Sequence, residues 1–357
     1  MKKLVEDLLD NNLKDREVLI IKKRFGLGED EEPSSLEAIG KHLKITRERV
    51  RQIQNNALSK IKKVINDHKE IKNFIKEVKS LIEPLGIKEE RNFYKLLIEK
   101  KLIKENEVNY LKFVFINHHE IHYHPEDKDL NSFYAKSEDW AFFFRHLLKK
   151  IAIYFLENNK EVFEESKIFE IIAKELKTHL SNLDIEDYYE ILRILKPVYK
   201  NPFEKWGFAT NPFIVPSSLK EKILTILKVE GKPLHFTEIY NKIYQVGEIS
   251  DEFVHPTWKK RYSLDSIKNE LIRHPDFVLV GRGMYGLKEW GFKEGTAFEL
   301  LKEFLASKKE VDFEELIQFF KNQRFIKLTT LNIYLYRLLK EKFIKIEGRK
   351  IVVVKNA

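Results

Sequence analysis

Apolar and polar positions recur with helical period along most of the chain, and the pattern is sharpest between residues 35 and 63. Leu36, Ile39 and Leu43 form one apolar stripe and predict a short helix. Val50, Ile53, Ala57, Leu58 and Ile61 form a second stripe and predict a longer one. Ile45 can close the turn between them, Thr46 is placed to cap the second helix, and Gly40 stands where the two must approach closely. The opposite face of the second helix carries Arg47, Arg49, Arg51, Gln52, Asn55 and Asn56. Those are side-chain types that read base edges and grip phosphates from a major groove, so a helix-turn-helix is expected. The competing reading is an amphipathic hairpin with a solvated basic face. Upstream, Leu4, Leu8, Leu13, Val18, Leu19, Ile20 and Phe25 predict helix through residues 1–27, ended by Gly26 and Gly28.

Beyond residue 66 the pattern changes to four segments of similar plan, each with three helices followed by a short β-like run. That is the plan of a winged helix. The expected architecture is therefore mainly α: a helix-turn-helix domain (1–66) followed by tandem winged-helix modules at 67–136, 137–216, 217–292 and 293–357, each with a short β-wing. The copy at 67–136 is the least regular, with a wing that the pattern barely marks. In the copy at 217–292, Gly281, Arg282 and Gly283 mark a tight turn between two strands.

Two stretches resemble known families. Residues 13–63, with the runs LKDREVLIIKKRFGL and SLEAIGKHLKITRERVRQI, resemble region 4 of the sigma-70 family of RNA polymerase sigma factors. The resemblance implies that Arg47, Glu48, Arg51 and Gln52 make base or near-base contacts with a promoter element and that Arg49 meets phosphate. It also implies RNA polymerase core as a partner. Asn56 and Ser59 depart from it, standing where the family usually has basic residues. The runs GKPLHFTEI, RHPDFVLVGRG and MYGLKEW resemble the HARE helix-turn-helix family, which includes the N-terminal domain of the RNA polymerase delta subunit. The insertion GEISDEFVHPTWKKRY is longer than that family's core needs.

Charge sharpens the picture at one place. The whole chain carries +9, a modest excess for 357 residues. Residues 41–63 alone carry +7, with Lys60, Lys62 and Lys63 extending the cationic face of the second helix. The absence of cysteine excludes disulfides and thiol chemistry. No stretch approaches the roughly 18 apolar residues of a membrane span, and no apolar run follows the opening MKKLVEDLLDNN, so a soluble cytoplasmic protein without membrane contact is expected.

Other candidate chemistry is sparse. NHHEIHYHPED holds four histidines, and His122 and His124 would share one face of a strand with Glu120. With no second cluster and no cysteine, no metal is expected there. Arg282 at a wing tip could dip into a minor groove, although the flanking glycines are explained by turn geometry alone. Trp140, Phe142, Phe143 and Phe144 could stack single-stranded bases, but a run inside an apolar helix reads as core. No P-loop, serine elbow, HExxH or paired carboxylates appear, and no cofactor is called for.

The expectation is a non-enzymatic transcription regulator that resembles part of a sigma factor and binds double-stranded DNA. Its contacts would be Arg47, Glu48, Arg49, Arg51, Gln52, Asn55, Lys60, Lys62, Lys63 and Arg282. The alternatives are an adaptor on RNA polymerase, or the DNA-targeting subunit of a restriction or defence system.

Overall fold

The computed structural model describes residues 1–28, 32–83, 85–176, 183–348 and 350–354. Helices dominate, with small antiparallel sheets between them, and the chain divides into two units. Unit 1 comprises Met1–Asn158 with Glu165–Val198, and unit 2 comprises Asn159–Glu164 with Tyr199–Ala357.

Unit 1 opens with α1 (Lys2–Asn12) and α2 (Asp15–Phe25). The expectation of unbroken helix over 1–27 is corrected here. The chain turns at Leu13 and Lys14, where the Lys14 amide donates to Glu17 Oε2 at 3.0 Å and starts a new helix. The break lets Leu8 and Leu9 of α1 and Val18 and Ile21 of α2 enter one core. Gly26, at φ 62°, ends α2. Then follow α3 (Leu36–Leu43), α4 (Arg47–Asp67), α5 (Lys69–Ser80), β1 (Ile87–Glu89), α6 (Glu90–Glu99), α7 (Val108–Asn117), β2 (His122–His124), β3 (Phe133–Ala135), α8 (Glu138–Glu157), α9 (Glu165–Leu176) and α10 (Ile185–Ile194).

One apolar core runs through α1, α2, α4, α5, α6 and α7, so residues on either side of position 66 share it. Two side-chain bonds also cross position 66: Tyr110 Oη to Glu6 Oε1 at 2.7 Å, and Asn109 Nδ2 to the Gly26 carbonyl at 3.1 Å. The strands form a sheet in the order β1–β3–β2. Beneath it Glu90 accepts from Ser132 at 2.5 Å and from Tyr123 at 3.1 Å, and pairs with Lys112 at 2.7 Å. A buried carboxylate satisfied this fully holds strands to helices without an orphaned charge.

The aromatic run on α8 is core only in part. Phe144 is fully buried, while Phe142 is 73% exposed. At about 100° per residue, consecutive positions point all round a helix, so a contiguous run cannot bury every ring on one side.

After Asn159–Glu164, unit 2 resumes within β4 (Val198–Lys200), which pairs with β5 (Trp206–Phe208). It continues with α11 (Leu219–Glu230), β6 (Leu234–His235), α12 (Phe236–Gly247), α13 (Leu264–Arg273), β7 (Phe277–Gly281) and β8 (Met284–Leu287). Its last part is α14 (Ala297–Ala306), β9 (Glu310–Asp312), α15 (Phe313–Gln323), α16 (Leu328–Lys340), β10 (Ile344–Glu347) and β11 (Lys350–Val353). One apolar core lies under the sheet β6–β8–β7 and another under β10–β11–β9, and a smaller cluster gathers Val246, Val254 and Trp258. The insertion after α12 is anchored by Trp258, which is fully buried and donates from Nε1 to the Ile214 carbonyl at 2.8 Å. Lys222 of α11 reaches the same place and donates to the carbonyls of Trp258 at 3.3 Å and Lys260 at 3.2 Å.

Among the described residues, no helix is long and apolar enough to cross a membrane.

Candidate nucleic-acid interface

The helix pair α3–α4 is built by local chemistry. Ser35 Oγ accepts from the Ala38 amide at 3.1 Å and Thr46 Oγ1 from the Arg49 amide at 3.1 Å, so each helix starts on a side-chain cap. Between them Lys44 takes a left-handed conformation with φ 55°. Gly40 is required by contact: a Cβ there would lie 2.8 Å from the Ile45 carbonyl oxygen. Ile20, Ile39 and Val50 are buried at the joint, with Leu36, Leu43, Ile45 and Ile53 packed around them. The remainder of α4 enters the larger core through Ala57, Ile61 and Ile65.

That packing decides which side of α4 faces out. The helical period puts Glu48, Gln52, Asn55, Ser59 and Lys62 along the ridge opposite Val50, Ala57 and Ile61, with Lys63 beside it and Arg51 and Arg49 on the flanks. Arg47, Glu48, Arg49, Arg51, Gln52, Asn55, Asn56, Lys60, Lys62 and Lys63 are all exposed.

The ridge is internally organised. Arg51 donates to Glu48 from Nε at 2.8 Å and from Nη2 at 2.7 Å, a planar fork across one turn. The hydrogen bonds from Arg51 hold the Glu48 carboxyl below its ordinary range, and the carboxylate in turn raises Arg51. Arg49 Nη1 donates to Gln52 Oε1 at 3.2 Å. Ser59 turns its hydroxyl back to the Asn55 carbonyl at 2.9 Å.

Lys60 has a different attachment. Its Nζ lies 2.7 Å from Glu17 Oε1, on a carboxylate that is only 10% exposed. The hydrogen bond from Lys60 is the main reason the Glu17 carboxyl sits below its ordinary range. Lys60 therefore fastens α4 to α2, whereas Lys62 and Lys63 project from the helix. Glu17 was not among the residues singled out from the sequence, because its partner lies 43 positions away.

Arg282 lies in unit 2, exposed at the turn between β7 and β8. Gly283 has φ 71° and lies so close to His235 that a Cβ would strike the imidazole, so the glycine serves the turn's packing.

The histidine stretch is dispersed by the fold. His118 is buried and its ring stacks on His119 with centroids 4.9 Å apart. His119 also bonds through Nδ1 to Asn66 of α4. His124 is buried against Phe133, with centroids 4.7 Å apart. Burial lowers the pKa of both His118 and His124. Among the described residues, no three or more His, Cys, Asp or Glu side chains are grouped so as to hold a metal ion.

Comparison with known proteins bears on the α3–α4 region. Residues 11–63 match the family Sigma-70, region 4. Over 62 residues the chain is 48% identical to the RNA polymerase sigma factor RpoD of Helicobacter pylori (strain ATCC 700392 / 26695), covering 17% of this chain and 9% of that protein. Over 64 residues it is 36% identical to the RNA polymerase sigma factor SigA of Mycoplasma genitalium, covering 18% and 13%. SigA of Mycoplasma pneumoniae is 34% identical over 65 residues, again 18% and 13%. The chain thus spans about a tenth of the length of the curated relatives it matches.

Proposed function

We propose that this protein is a DNA-binding transcription regulator that lays α4 in the major groove of promoter-like duplex DNA. The observation that carries the reading is the outward ridge of α4, capped at Thr46, backed by two cores and furnished with Glu48, Gln52, Asn55 and the Arg51 fork. Arg51 and Gln52 suit purine edges: a guanidinium donates twice to guanine O6 and N7, and an amide donates to adenine N7 while accepting from its amino group. Glu48 suits a cytosine amino group. Arg47 suits a base or near-base contact, Arg49, Lys62 and Lys63 suit phosphates, and Lys60 adds charge from a fixed position.

The similarity of residues 11–63 to region 4 of proteins named RNA polymerase sigma factors supports promoter DNA as the ligand and RNA polymerase as an associated partner. We read the helix triplets that end in β6–β8–β7 and β10–β11–β9 as winged-helix modules, the first of the HARE type. We take their role as non-enzymatic and the protein as cytoplasmic.

Selection of bound duplexes from a random pool by the full chain tests the reading. The pool should converge on one motif. Arg51→Ala should cost about 1–3 kcal/mol on that motif and relax one base position, while Lys62→Ala should weaken all sequences alike. Equal loss on every sequence for Arg51→Ala would overturn the assignment of α4 as the base reader.

A second reading, an adaptor on RNA polymerase that needs no DNA, is favoured by the same sigma similarity. Capture of core polymerase by the full chain after nuclease treatment, undiminished by Arg51→Ala, would select it.

A further inference from the structure

The segment leading into α16 is stitched to the hairpin that carries Arg282. The Phe325 amide donates to the Val280 carbonyl at 2.6 Å, and Gly281 and Phe325 form a parallel bridge. Contact is close enough that a Cβ on Gly281 would lie 3.0 Å from the Phe325 carbonyl oxygen. Buried Arg324 fixes the same segment by donating to the Gly295 carbonyl at 2.9 Å. The Arg282 turn and the start of α16 are therefore one structural feature, although they belong to different cores.

Burial of Leu331, Leu335 and Leu338 turns the ridge Thr329, Ile333, Tyr336 and Lys340 outward, with Asn332 and Arg337 on its flanks. Ile333 is 65% and Tyr336 70% exposed. No Asp or Glu occurs from residue 316 to residue 340, and Lys327, Lys340 and Lys345 are all exposed. The ridge thus mixes hydrogen-bonding, methyl-contacting and cationic groups on a convex rod, with further cations on either side.

We propose that α16 and Arg282 form a second duplex-DNA contact surface, in unit 2. Thr329 and Asn332 can meet base edges, Ile333 a thymine methyl, and Lys327, Lys340, Lys345 and Arg282 the phosphate rows that border a groove. A protein partner would have to be concave and acidic at once to satisfy the same ridge. The surface takes the same class of ligand as the proposed function but uses none of its residues.

The chain has no native cysteine, so a single introduced one can be labelled uniquely. Tyr336→Cys and, separately, Ser59→Cys in the full chain are coupled to a thiol-reactive iron chelate and mixed with a long mixed-sequence duplex. Strand cleavage from position 336 supports the surface. Its absence overturns the proposal whatever position 59 does, and cleavage at 336 without cleavage at 59 removes instead the reading of α4. A chelate at 336 that cuts a co-purifying protein and leaves the duplex intact also overturns the surface. In parallel, Arg282→Ala, Lys327→Ala and Lys340→Ala combined should lower the slope of log affinity against log salt by about 2–3, near 0.9 per lost phosphate contact. Lys327→Arg with Lys340→Arg, Arg282 being kept, should leave the wild-type slope unchanged. An unchanged slope in the alanine variant contradicts the proposal.

Discussion

Arg51 grips both carboxylate oxygens of Glu48, at 2.8 and 2.7 Å, on the exposed face of a helix. Before any ligand arrives, the side chain best suited to guanine is held in a fixed plane by the side chain best suited to cytosine. On the proposed reading of α4, the pair meets adjacent bases as one preassembled unit, with less rotamer freedom left to lose on binding.

Glu48→Ala should therefore raise affinity for arbitrary duplexes, since a carboxylate facing phosphates is removed, while the preference for the selected motif shrinks by roughly tenfold, within the 1–3 kcal/mol range of one base contact. Titrations on the selected and a scrambled duplex at one salt concentration measure both. A variant that loses affinity on both duplexes equally would contradict the preassembled pair.

Gly40→Ala puts a methyl 2.8 Å from the Ile45 carbonyl oxygen, and the backbone must give way. The expected cost is about 1–3 kcal/mol, as for other overpacked sites. Because the strain falls on the turn that sets the entry angle of α4, motif recognition should fail at temperatures where circular dichroism still reports full helix.

Lys60 and Lys62 are neighbours in sequence with different expected phenotypes. Lys62→Ala should lower the salt slope of DNA binding by about 0.9. Lys60→Ala should change the slope less and lower the melting temperature instead, by an amount worth roughly 0.5–1 kcal/mol, because Lys60 is half exposed and the pair is screened. The pH dependence has a fixed sign. The Glu17 carboxyl is held below the ordinary 4.5, so its contribution is present above pH 4.5 and lost as pH falls through the lower folded value. Glu17→Gln should remove that acid-side loss in a melting series.

Lys222 predicts a rise of stability with pH too, but in unit 2 and at the alkaline end, because here the folded chain penalises a charge instead of pairing it. Burial, followed by the nearby charges of Lys260 and Arg261, lowers its pKa to about 8, against 10.5 in the unfolded chain. Between those values the unfolded chain binds more protons, so stability rises with pH, by on the order of 2–3 kcal/mol across the window. Lys222→Met should flatten that rise in denaturant titrations from pH 7 to pH 10. A wild-type chain with no rise over that range would show that the ammonium is not penalised where it lies.

What the sequence made legible was chemistry confined to a few turns of chain. Thr46, Gly40 and Ile45 act on neighbours within six positions, and the caps, the close approach and the stripes they imply are all present. Glu17 and Lys60 meet across 43 positions, and Tyr110 and Glu6 across 104, so no local period could announce them. The break at Leu13 failed for a related reason: the apolar spacing on either side is helical, and only the tertiary core decides that the two halves must fold back on each other. Phe142 shows the converse, an aromatic ring left in solvent because its neighbours on α8 had already taken the buried directions.

The 21 residues of α4, about 32 Å of continuous rod, begin at the helix-turn-helix and end inside the main core of unit 1. A helix bolted to its chassis in this way has no independent swivel. Any tilt of α4 must carry the core shared by α1, α2, α5, α6 and α7 with it, so anything that grips that body also steers the helix, and anything that clamps the helix orients the body.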